Sequence, residues 1–173
     1  GPVRGDGGHG QGHVAARYGM GATAQKGTEF KAVLNDMGFD VMLQVSGSTS
    51  ALLGAFFLGM SDHASGTELD AAGVKAMFAG GLANVQKQTK AQKGDKTMMD
   101  ALIPASEAIA AYAGSDEGGL FDAAAKAAAA GAENSKNFVS KFGRAKSYGT
   151  KTIGTPDAGA VSMSCFFQGL ARE

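Results

Sequence analysis

Apolar residues recur along this chain at steps of three and four, while the apolar–polar alternation that builds a strand is almost absent. A stripe spaced that way lies on one side of a helix, because a turn takes about 3.6 residues. Alanine, leucine and methionine, which lose little rotamer freedom in a helix, dominate the same segments. The expected fold class is therefore all-α: an antiparallel up-and-down helix bundle or barrel of about seven helices joined by glycine-containing loops.

The stripes can be followed one by one. Phe30, Val33, Leu34, Met37, Val41, Met42 and Val45 predict a helix over about 29–45, weakened in its middle by Gly38. Thr67-Glu68-Leu69-Asp70 reads as a capping box, and Leu69, Val74, Met77, Phe78, Leu82 and Val85 carry that helix to about residue 88. Thr97-Met98-Met99-Asp100 repeats the start signal for a helix to about residue 113. Within it Pro104 removes one backbone hydrogen bond and predicts a kink or an early 3₁₀ turn. The alanine-rich stretch of 119–142 carries Leu120, Phe121, Ala124 and Ala128 on one face of an ordinary helix. Asp157 opens a last helix through Val161, Cys165, Phe166 and Leu170.

At 173 residues the chain is expected to form one domain over 1–173, with a core of its own. Sixteen basic residues balance sixteen acidic ones, so no overall field draws it to nucleic acid or to an anionic membrane. Phosphate binding would have to come from a local site, and the expected partner is small or proteinaceous. One cysteine excludes an internal disulfide; Cys165, inside an apolar run, reads as a small core residue, and a reducing cytoplasm fits. The longest apolar stretch, 51–60, is far short of a membrane span, and the glycine-rich start lacks the apolar core of a signal peptide.

Chemistry is expected in four glycine-marked loops, 5–12, 46–54, 93–98 and 143–159. In an up-and-down bundle, loops two helices apart lie at the same end and can converge on one site. Arg144 supplies a planar, permanently charged fork suited to phosphate oxygens. Asp157 can cap the helix that follows it. Hydroxyls beside the free amides of a helix start can form an anion site, but by residue type alone Ser48 and Thr49 read as a serine-rich helix cap. Taken by residue type alone, 5–12 is a surface loop with a solvated His9, and Met98 is a core side chain.

The four loops together resemble the ADP-binding L subunit of dihydroxyacetone kinases. Gly94-Asp95-Lys96-Thr97-Met98-Met99-Asp100 with Pro104 is similar to the family's G-D-K-T-M-x-D-x-x-x-P. The loop from Gly143, with Arg144 and Asp157-Ala158-Gly159, resembles its last loop, with Ala158 where the family usually has proline. Ser46 to Phe57 resembles G-G-x-S-G-P-L-Y-G-x-F-F, with Ser50 and Ala51 as departures. Gly5-Asp6-Gly7-Gly8-His9-Gly10-Gln11-Gly12 resembles G-D-G-D-H-G-x-N, but Gly8 and Gly12 replace the second aspartate and the asparagine, and Gly1 falls where an upstream aspartate stands.

The resemblance implies an antiparallel barrel of eight helices with a nucleotide in one end, the family's first helix being absent here. It implies ADP or ATP as the bound nucleotide, held by His9, Gly10, Gly12, Ser48, Thr49, Thr89, Met98, Arg144, Asp157, Ala158 and Gly159. Met98 would lie on the adenine, and Thr89 would lie beside the base. Asp6 would hold magnesium, with two of the family's three metal carboxylates missing. Arg144 would be the catalytic cation, and the reaction phosphoryl transfer to dihydroxyacetone on a separate K subunit. The phosphotransferase-system form, recharged by a phosphohistidine-bearing M subunit, is favoured, with a homodimer possible. The alternatives are the L domain of an ATP-dependent kinase and a non-catalytic relative that binds a protein partner.

Overall fold

The computed structural model describes residues 48–63 and 70–172. Within them lie five α-helices: α1 (Ser48–Asp62), α2 (Ala71–Gln86), α3 (Met99–Ala111), α4 (Glu117–Asn134) and α5 (Ala158–Arg172). Two 3₁₀ segments, Ser135–Asn137 and Arg144–Thr152, fill the link between α4 and α5. Among the described residues there is no strand, so the all-α expectation holds. The helix expected over 29–45 lies outside the described residues.

Consecutive helices pack on one another, and α3 also reaches α5. Their common interior is aromatic. Phe56, Phe78, Phe166 and Phe167 are fully buried, and Phe57 nearly so. Phe166 meets Phe56 edge-on at 6.0 Å between ring centres and Phe57 at 5.1 Å, while Phe78 lies 5.7 Å from Phe167. Tilted and edge-to-face pairs align each ring's positive rim with its neighbour's negative face. Met60, Met77, Met98, Met99 and Met163 fill the remaining irregular space. All four predicted face residues of α4 are buried, as are Val74, Met77, Phe78 and Val85 of α2.

Two close approaches depend on glycine. A Cβ on Gly59 of α1 would fall 2.7 Å from the Gly80 carbonyl of α2, so these helices touch backbone to backbone. A Cβ on Gly131 of α4 would fall 2.0 Å from the carbonyl oxygen of Asp100. That carbonyl is the one whose intrahelical donor would sit at residue 104, and proline has no N–H. The missing bond and the close helix contact thus occur at one spot, and α3 runs through Pro104 as α-helix without a 3₁₀ turn.

Helix starts are set by aspartates, with corrections to two expected boundaries. α2 begins after Asp70, whose Oδ1 accepts the Gly73 amide at 2.7 Å. Asp70 thus satisfies a first-turn amide as expected, while Thr67 lies outside the described residues. At α3 the expected box is present: Thr97 Oγ1 accepts the Met99 amide at 3.1 Å and Asp100 Oδ2 accepts the Thr97 amide at 2.9 Å. α4 stops at Asn134 instead of continuing to 142, because the chain tightens into a 3₁₀ turn and Phe138 turns extended. The loop expected over 46–54 is helical from Ser48 onward.

Candidate functional site

A cavity of about 470 Å³ opens where these loops meet. Ala51 and Leu52 reach it from the first turns of α1, and Gln88 and Thr89 from the chain leaving α2. Lys96, Thr97 and Met98 come from the loop before α3; Phe142, Gly143, Ala145 and Asp157 come from the link to α5. Three of the four expected loops therefore do converge at one end of the bundle. The volume suits a drug-sized or nucleotide-sized molecule.

The 94–98 loop is shaped by the buried Asp100. Its Oδ1 accepts the Gly94 amide at 2.6 Å while Oδ2 takes Thr97, so one carboxylate satisfies two donors of a tight turn. Gly94 has φ 97°, a conformation glycine adopts without strain. Asp95 Oδ2 accepts the Gln92 amide at 2.8 Å, and its Oδ1 lies 3.3 Å from the Lys141 ammonium. Behind the turn, Met98 is buried at 2% exposure yet lines the cavity, offering a polarizable thioether to a flat ligand.

The opposite wall is the link to α5. Gly143, at φ 68°, starts the 3₁₀ run, and Gly149 breaks it at φ 55°. Thr152 closes it: Oγ1 accepts the Ser140 amide at 3.0 Å and donates to the Gly149 carbonyl at 2.7 Å. Asp157 caps α5 as expected, its Oδ2 accepting the Ala160 amide at 2.9 Å. Its own amide donates to Ser135 Oγ at 2.8 Å, tying the start of α5 to the end of α4. Burial pushes the Asp157 carboxyl above its ordinary value, and nearby Asp100 adds to the rise. The amides of Ala160 and Gly159 and the charge of Lys96 pull the other way.

Of the expected site residues, Thr89, Met98 and Asp157 line the cavity. Ser48 and Thr49 begin α1, one turn before Ala51 and Leu52, where a helix leaves backbone N–H groups without intrahelical partners. Arg144 stands between two lining residues and opens the 3₁₀ run. Ala158 and Gly159 form the first turn of α5 beside the cavity without lining it. Asp6, His9, Gly10 and Gly12 lie outside the described residues. Lys96 and Thr97 were quoted in their motif without a role, and Gln88, Phe142 and Ala145 were not singled out. Positions as far apart as 88, 96 and 142 carry no local signal that these residues line one cavity.

A family profile described as the DAK2 domain matches residues 3–172. The chain belongs to the DAK2 domain family. Its relatives include a protein named L-erythrulose 1-kinase from Mycolicibacterium smegmatis, 32% identical over 99% of this chain and 31% of that protein. The ADP-binding subunit DhaL of the PEP-dependent dihydroxyacetone kinase 2 of Listeria innocua is 33% identical over 78% of this chain and 63% of its own length. This DAK2 chain thus spans about a third of the first relative and under two thirds of the second. Among solved structures, the native dihydroxyacetone kinase of C. freundii aligns with 82% of this chain and 23% of its own at a TM-score of 0.59 and 25% identity. The same enzyme in complex with AMP-PNP and Mg²⁺ aligns over the same shares at 0.56 and 26%.

Magnesium is a separate question from nucleotide. Among the described residues no three His, Cys, Asp or Glu side chains are grouped to hold a metal ion. Asp100 and Asp157 already accept backbone N–H groups. Among the described residues, therefore, no carboxylate cluster of the kind a magnesium ion needs is present.

Proposed function

We propose that this chain binds ADP or ATP in the 470 Å³ cavity and donates a phosphoryl group to dihydroxyacetone held by a K subunit. One observation carries the reading: Thr89, Thr97 and Met98 line the same cavity as Ala51 and Leu52 near the start of α1 and as Gly143. An apolar thioether beside hydroxyls suits a nucleobase, and a helix start beside an arginine-bearing turn suits phosphates. In this reading Ser48, Thr49, Ala158 and Gly159 border the phosphates, and His9, Gly10 and Gly12 close the site from the N-terminal loop. Asp6 is the one matched magnesium carboxylate; magnesium, when bound, neutralises phosphate charge.

Arg144 is the residue proposed for catalysis, by stabilising charge on the transferring group. The named relatives include a PEP-dependent subunit and a kinase crystallised with an ATP analogue, so both donor types occur in this family. We favour the phosphotransferase-system type, with a phosphohistidine-bearing M subunit as donor, a cytoplasmic setting, glycerol metabolism as context and a homodimer as the assembly. Among the described residues no helix is long and apolar enough to cross a membrane.

Calorimetric titration with ADP, with and without magnesium, tests the site. Weak binding that Gly8→Asp strengthens is expected, because one carboxylate strips water from magnesium poorly. Failure of both chains to bind would overturn the reading. Arg144→Ala should abolish transfer while barely moving stability, and wild-type transfer would remove Arg144 from its role. Slow ADP dissociation across turnovers marks the phosphotransferase type; exchange in every cycle marks the ATP-dependent one.

A further inference from the structure

Lys96 is the one described residue other than glycine with positive φ, at 63°. Its Cβ crowds the backbone there, a conformation lysine adopts only when its surroundings enforce it. The side chain is also 5% exposed, and among the described residues it forms no ion pair with a carboxylate. Its Nζ instead donates to two backbone carbonyls, those of Thr152 and Thr155. These close the 3₁₀ run and lead into Asp157, 56 and 59 residues further along the chain. Two costly features, a left-handed backbone and a buried cation, sit on one residue, and together they strap one cavity wall to the other.

We propose that Lys96 is a positioning residue. It clasps the 143–157 segment to the 94–98 loop and so fixes the wall that carries Gly143, Ala145 and Asp157. Ligand affinity is then set through a side chain that bonds backbone rather than ligand. An ammonium on a flexible stem has three donors and can serve two carbonyls from different turns at once. The effect on affinity rests on the nucleotide reading above; the clasp itself does not.

Lys96→Gly and Lys96→Asn test it, because both residues accept positive φ and neither can reach the carbonyls. Amide hydrogen exchange of 143–157 in the full chain should quicken at least about tenfold, with α3 and α4 unchanged. Lys96→Arg, which keeps a long cation, should retain most of the protection. ADP should bind at least about tenfold more weakly to the glycine and asparagine variants, chiefly through faster dissociation. Wild-type exchange over 143–157 in both would overturn the clasp. Faster exchange with unchanged ADP affinity would overturn its coupling to the site. If neither the unaltered chain nor Gly8→Asp binds ADP, the nucleotide reading fails and exchange alone decides the clasp.

Discussion

The aromatic interior and the cavity end of this domain are held together by different forces. Around Phe56, Phe78, Phe166 and Phe167 the contacts are apolar and spread over ring surfaces. At the cavity, Asp100, Lys96, Thr152, Ser135 and Asp157 fix the backbone by individual hydrogen bonds. Apolar burial scales with area and tolerates local adjustment; a polar loop depends on each bond being made, since an unpaired buried donor costs about 1–3 kcal/mol. Core changes should therefore lower stability and leave affinity per folded molecule intact, whereas loop changes at the cavity should lower affinity as well.

The strongest test of that division is Phe56→Ala, which removes a ring that touches Phe57, Phe78 and Phe166. It should cost about 3–5 kcal/mol in denaturant unfolding. ADP affinity measured well below the unfolding midpoint should stay unchanged, and a large affinity loss would break the comparison. Asp100→Ala comes next, at about 2–3 kcal/mol, because it strands the amides of Gly94 and Thr97. Here affinity should fall with stability; an intact site would mean that the turn holds its shape without its carboxylate.

Asp70→Ala is the control for the polar side. It removes the cap of α2, an exposed group that does not line the cavity, and should cost about 1 kcal/mol with no change in binding. The smallest effect belongs to Asp157→Asn, read through pH. The folded-state carboxyl of Asp157 sits above its ordinary 3.8, so the folded chain holds that proton more tightly than the unfolded chain. Its contribution is fully present below pH 3.8 and is lost as pH rises through the raised value. Asparagine can keep the cap to Ala160 without ionising. The variant should match the wild type in acid and be slightly more stable at neutral pH; parallel pH curves would refute the shift.

What the sequence disclosed follows the same division. Helical faces were legible where burial repeats with the helical period: Leu120, Phe121, Ala124 and Ala128 are all buried, whereas on α5 Phe166 and Leu170 are buried but Val161 is exposed and Cys165, expected in the core, is half-buried. Motif residues Thr89, Met98 and Asp157 were found through resemblance, and they do line one cavity. Lys96 was not given a role, since a single lysine carries no mark of positive φ or of carbonyls nearly sixty residues away. Helix ends also escaped. α4 ends at Asn134 and not near 142, because the alanine-rich pattern gives no mark of the 3₁₀ turn that stops it. Pro104 suggested a kink, whereas Gly131 on the neighbouring helix lies close to the freed carbonyl, a pairing that no local window contains.

The long span of the Lys96 bonds bears on the order in which the molecule assembles. α3 and α4 are joined by a link of residues 112–116 and can dock early, because closing a short loop costs little chain entropy. The bonds from Lys96 join positions 56 and 59 apart, and α4 and most of the link must already be in place before they can form. The site is thus expected to be finished after the helices dock, which folding and unfolding rates of Lys96→Asn would check: mainly faster unfolding is the expected result. A ligand that binds only the finished site would slow unfolding and leave the folding rate nearly untouched.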